Sequence, residues 1–142
     1  MARILLAEDD RAVAGLFTEW LEAEGHEVRI APDGVDGFRS FAFGETPDLL
    51  VTDVMMPACD GEGLAGALAA CRALCPVLVV TAYPAADATL RLRNEPNVID
   101  VLTKPIARRA FRKAVRCGLQ QAEASQMQTG QKEHSHEDSH RG

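Results

Sequence analysis

Asp53 ends the apolar run Leu49-Leu50-Val51-Thr52 and precedes Val54-Met55-Met56-Pro57. A second apolar run, Ile4-Leu5-Leu6-Ala7, ends in Glu8-Asp9-Asp10; a third, Val77 to Val80, ends in Thr81; a fourth, Val98 to Thr103, ends in Lys104-Pro105. Carboxylates gathered at one point repel, at a cost on the order of 4 kcal/mol for a pair about 4 Å apart at an effective dielectric of about 20. Lys104 supplies one compensating charge and a hard divalent ion would supply two. Mg2+ suits a site with few carboxylates that keeps positions for water and a phosphoryl oxygen. These residue types favour phosphoryl chemistry, where positioning and charge stabilisation dominate and no base is needed. In that chemistry Asp53 attacks phosphorus through a carboxylate oxygen to give an acyl phosphate. Asp9 holds the metal, Lys104 balances charge on one phosphoryl oxygen, and the Thr81 hydroxyl donates to another.

For these residues to meet, the four runs must be parallel strands that end on one edge of a sheet. Apolar runs and helical periodicities alternate to about residue 119, the pattern of repeated βα units. Val13, Leu16, Phe17, Trp20 and Leu21 form a helical stripe closed by Gly25, and either Asp9 or Asp10 can cap it. His26 to Ile30 alternates as an edge strand does. A second helix is expected from Asp33 to Gly44 through Val35, Phe38 and Ala42. After a Pro57-to-Gly61 turn, a third carries Leu64, Ala67, Leu68 and Cys71. The segment Pro84 to Asn94 has a poor stripe, whereas the last helix presents Ala107, Ala110, Phe111, Ala114 and Val115 on one face, with Arg108, Arg109, Arg112, Lys113 and Arg116 elsewhere. Five βα units in an α/β chain of this size favour an open, doubly wound parallel sheet over an eight-stranded barrel. In such sheets ligands sit outside the carboxyl ends of the strands, where Asp9, Asp53, Thr81 and Lys104 fall.

Composition narrows the function further. At 142 residues and 46% hydrophobic content the chain buries one core, and 15 basic against 21 acidic residues give a net charge of −6, which disfavours direct nucleic-acid binding. No apolar run reaches membrane-spanning length and Met1 leads straight into a strand-like run, so a cytoplasmic protein with no membrane contact is expected. Cys59, Cys71, Cys75 and Cys117 have no zinc or CxxC spacing and read as reduced thiols. The expected division is a folded domain over 1–119 and a disordered polar tail over 120–142, whose histidines 134, 136 and 140 lack the fixed geometry of a metal site.

The segments Ile4 to Asp10, Asp53-Val54-Met55-Met56-Pro57-Ala58-Cys59-Asp60-Gly61, Val79-Val80-Thr81-Ala82 and Leu102-Thr103-Lys104-Pro105 resemble the receiver domains of two-component response regulators. The resemblance covers about residues 2 to 119, in order and at similar spacing, and a receiver without an attached effector is expected. It implies a flavodoxin-like fold of strand order 2-1-3-4-5. It also implies phosphorylation of Asp53 by a histidine kinase or histidine phosphotransfer protein, with Mg2+ as cofactor. The implied metal ligands are Asp9 and Asp53 directly, Glu8 through water and the Met55 backbone carbonyl; Lys104-Pro105 is expected to be cis. The chain is then a phosphoacceptor, not an enzyme with a separate substrate, and signals to an output partner through the 84–119 face.

One position departs from the family pattern. Many receivers carry Tyr or Phe three residues before the Lys, where the ring turns inward on activation; here that residue is Val101. Tyr83, the only tyrosine, is the alternative reporter of the switch. Met55 and Tyr83 border the path of hydrolytic water and, being bulky, are expected to slow loss of the phosphoryl group. Two other functions compete: a receiver-like adaptor that works without phosphorylation, and an aspartyl-phosphate phosphatase. The second acid such a phosphatase needs is replaced by Met55.

Overall fold

The computed structural model describes residues 2–31, 47–54 and 75–121. Strands β1 (Arg3–Ala7), β2 (Glu27–Ala31), β3 (Leu49–Asp53), β4 (Val77–Thr81) and β5 (Val98–Thr103) form one sheet in the order β2-β1-β3-β4-β5. All four pairings are parallel. The three inner strands are the near-continuous apolar runs, because helices or other chain must cover both faces of a parallel sheet. The alternating segment at His26 to Ile30 is the edge strand β2, as its pattern requires, and β5 is the other, half-exposed edge.

Helix α1 (Arg11–Ala23) is capped by Asp10, whose Oδ1 accepts the N–H groups of Ala12 at 2.9 Å and Val13 at 3.2 Å. Capping therefore falls to Asp10 and leaves Asp9 to the strand edge. At the far end Gly25, at φ 87°, turns the chain into β2 in a conformation that costs a side-chain-bearing residue more. The buried arc of α1 is not the expected stripe: Ala14, Phe17 and Leu21 are buried, Val13 and Trp20 partly so, and Leu16 is 43% exposed. The small Ala14 lets the helix settle onto the sheet on that side, which turns Leu16 outward.

The last helix, α3, runs over residues 108–121, two residues past the expected domain boundary. Phe111, Ala114, Val115 and Gly118 are buried, while Ala107 and Ala110 are exposed. The contact face is thus displaced toward the C-terminal half, where Gly118 permits close approach: a Cβ there would collide with Ile99 Cδ1 and come within 3.0 Å of Leu49 Cδ1. Phe111 stacks on Phe17 with ring centroids 4.5 Å apart, and Trp20 tilts against both rings. This aromatic trio joins Ile4, Leu6, Leu49, Val51, Leu78 and Val80 in the larger core on that face of the sheet. On the other face Leu5, Ala7, Leu50, Val54, Val77 and Val79 pack with Leu92 of the short helix α2 (Asp87–Arg93).

Cys75 is buried in this second core, and burial pushes its thiol up to about 12, which keeps it protonated and unreactive; Cys117 is free and exposed. The expected helices at 33–44 and after Gly61, the Pro57-to-Gly61 turn, Cys59, Cys71 and the tail beyond residue 121 lie outside the described residues. Among the described residues no helix is long and apolar enough to cross a membrane.

Two glycine-to-alanine substitutions separate packing from propensity. Gly15 is exposed in α1 with nothing within 4 Å of an added Cβ, so Gly15→Ala is expected to raise stability by about 0.5–1 kcal/mol through helix propensity alone. Gly118→Ala gains the same propensity but overpacks the α3–sheet contact, for a net loss of about 1 kcal/mol. Urea unfolding midpoints that moved in the same direction would contradict this assignment.

Candidate functional site

The sheet brings the four strand ends to one edge. Ala7 pairs with Thr52, Asp53 with Val80, and Thr81 with Thr103, so Glu8-Asp9, Asp53, Thr81 and Lys104 follow one another across the carboxyl ends of β1, β3, β4 and β5. The Lys104 N–H donates to the Thr81 carbonyl at 2.7 Å, which extends the β4–β5 ladder past the strands and aims the lysine back over the edge. The Lys104-Pro105 bond is cis.

Lys104 Nζ donates to both oxygens of Glu8, at 3.1 and 3.0 Å, and to Asp53 Oδ2 at 2.9 Å. Glu8 is buried at 2% exposure and Asp53 at 8%, whereas Asp9 is exposed. Glu8, Asp9 and Asp53 each offer a carboxylate oxygen, and these atoms lie within 4.8 Å of one another. Three acids against one ammonium leave negative charge in excess. Glu8 spends its oxygens on Lys104, so Asp9 is the acid that faces solvent. An oxygen-only, acid-rich cluster with an open side fits a hard divalent cation such as Mg2+. Met55 lies outside the described residues.

The Thr81 side chain is fully buried. Its Oγ1 accepts the N–H of Tyr83 at 2.9 Å, and the Tyr83 carbonyl accepts the hydroxyl of Thr89 at 2.8 Å. Tyr83 itself is 61% exposed and Val101 half-buried. The structure thus unites the described site residues anticipated from sequence and adds two features that sequence reasoning missed. One is the bidentate Glu8–Lys104 pair; the signal for it was a Glu at position 8, whose extra methylene lengthens its reach. The other is Thr89, a polar residue on a helix whose apolar stripe is too weak to mark an inward face.

Electrostatics follow from this geometry. Burial raises the Glu8 pKa above its ordinary 4.5; the Lys104 hydrogen bond opposes the shift and repulsion from Asp53 adds to it. Burial disfavours the Lys104 charge, but hydrogen bonds to Asp53 and Glu8, together with their charges, outweigh it and raise its pKa above 10.5. Both raised values mean that the folded state binds protons more tightly than the unfolded chain. The Lys104 contribution to stability is present below pH 10.5 and lost as pH rises through its folded value. That of Glu8 is fully present below pH 4.5 and lost as pH rises through its own. In metal-free buffer, acidification from pH 7 toward 4.5 should therefore stabilise the natural protein relative to Glu8→Gln. Urea unfolding across that range measures it, and the opposite trend would exclude a raised Glu8 pKa.

Comparison with known proteins gives a consistent picture. The family model described as response regulator receiver domain matches residues 4–116. The transcriptional regulatory protein RprY of Bacteroides fragilis is 38% identical over 105 residues, 74% of this chain and 44% of that protein. The alkaline phosphatase synthesis transcriptional regulatory protein PhoP of Bacillus subtilis is 33% identical over 122 residues, 85% of this chain and 50% of that one. The chain thus spans half or less of the length of these relatives. Among solved structures, a CheY-like response regulator receiver domain protein from Methanospirillum hungatei superposes with a TM-score of 0.81 at 24% identity, covering 88% of this chain and 98% of that one. A receiver domain protein from Clostridium thermocellum gives 0.80 at 22% identity, covering 87% of this chain and 98% of that one. These two likenesses concern the fold.

Proposed function

Because the chain belongs to the response regulator receiver domain family, we propose that it is a phosphorylation-controlled switch whose acceptor is Asp53. The observation that carries this reading is the position of Lys104 Nζ, 2.9 Å from Asp53 Oδ2 at the centre of the acidic edge. An Asp53 oxygen attacks the phosphorus of a phosphohistidine on a histidine kinase or phosphotransfer protein. The P–N bond breaks, its electron pair returns to the imidazole, and an acyl phosphate remains on Asp53. Lys104, already held on Asp53, balances charge on a phosphoryl oxygen, and the Thr81 hydroxyl donates to another. Asp9 and Asp53, with Glu8 through water and the Met55 carbonyl, would hold Mg2+. That ion supplies charge neutralisation for the transferred group.

The 84–119 face passes the state of Asp53 to an output partner. Acetyl phosphate, a small phosphodonor, replaces the kinase in the test. With Mg2+, intact-mass spectrometry is expected to find a hydroxylamine-labile phosphoryl adduct that Asp53→Ala cannot form. Lys104→Ala should slow its formation on the order of 100-fold, as loss of one positioned charge-stabilising donor does. A natural chain that binds its partner but takes no phosphoryl group would instead be the phosphorylation-independent adaptor.

Tyr83 and Met55 set how long the adduct lasts. Their bulk crowds the water that would hydrolyse it, so a Met55→Asn, Tyr83→Glu double variant is expected to lose the phosphoryl group faster. An unchanged decay rate in the mass-spectrometric time course would remove crowding as the cause.

A further inference from the structure

Helix α2 is moored to one carbonyl. Its N-cap, Ala86, offers no side-chain acceptor, and the Ala86 N–H instead donates to the Tyr83 carbonyl at 3.2 Å. The same carbonyl accepts the Thr89 hydroxyl at 2.8 Å from a side chain that is completely buried. On its other side Tyr83 donates its N–H to Thr81 Oγ1 at 2.9 Å. A continuous hydrogen-bonded path thus runs from the strand-end threonine, through the backbone of one residue, to the interior of α2. Beside it, Val101 and Ala88 both pack against the core cluster that holds Leu92. A valine has neither a polar tip nor a ring that can swing, so this contact offers α2 no alternative hydrogen bond to the strand.

We propose that Thr89 is a positioning residue of the switch: its hydroxyl ties α2 to the Tyr83 backbone and makes the helix follow Thr81. The inference rests on the phosphoacceptor reading above. When Thr81 turns its hydroxyl to a phosphoryl oxygen on Asp53, Oγ1 shifts under the Tyr83 N–H. The Tyr83 carbonyl shifts with it, and the Thr89 hydroxyl carries that displacement into α2. The path takes the place of a ring at position 101.

Amide NMR of the full chain, with and without beryllofluoride and Mg2+, tests this. The natural protein should show shifts at Tyr83 and across Asp87–Arg93, and Thr89→Ser, which keeps the hydroxyl, should retain them. Thr89→Val, nearly the same shape without the hydroxyl, should still form the acetyl phosphate adduct at Asp53, but its α2 shifts should fall by about threefold or more, as expected when a coupling residue is lost. A full α2 response in Thr89→Val overturns the proposal, as does an equal loss in Thr89→Ser, which would assign the effect to packing. The natural protein decides the matter even where Thr89→Val does not fold, because an adduct at Asp53 without shifts in α2 overturns the path alone. No adduct at all overturns the phosphoacceptor reading and the path together.

Discussion

The contact on which the strand edge depends is the Lys104 ammonium held between Glu8 and Asp53. Two carboxylates that are almost wholly buried cannot sit beside each other without a cation, since removing charge from water is costly and their repulsion is strengthened by the low local dielectric. One lysine answers both acids and is in turn locked to the β4–β5 edge through its own N–H on the Thr81 carbonyl. Three strands are therefore tied at their carboxyl ends by a single side chain and its backbone. Under the proposed function the same ammonium would meet the transferred anion, so one contact would serve both the resting edge and the chemistry.

Much of this was legible in the residues. The parallel sheet followed from inner strands that are apolar throughout, and the edge position of β2 from its alternation. The gathering of Asp9, Asp53, Thr81 and Lys104 followed from their places at strand ends. Less legible was which residues of each helix would face inward. For α1 the large apolar residues suggested a stripe through Leu16, yet the small Ala14 sets the approach and Leu16 is left in water. For α3 the alanines at 107 and 110 matched the helical period, but close contact at Gly118 moved the buried face along the axis. Periodicity reports apolar residues, whereas docking depth depends on the small ones. Hydrogen bonds made by Thr89 or by both oxygens of Glu8 depend on three-dimensional proximity and leave no local period to read.

The sheet also acts as a partition. On one side the stacked rings of Phe17 and Phe111, with Trp20, knit α1 and α3 into a broad apolar body. On the other, α2 contributes seven residues, and of its apolar side chains only Leu92 is fully buried. Local opening free energies scale with such anchorage, so among the described elements α2 should lie near the low end and the aromatic side near the global limit. The order of opening expected among the described elements is therefore α2 first and the aromatic side last. Among the described elements, light and heavy anchorage thus fall on opposite faces of the sheet.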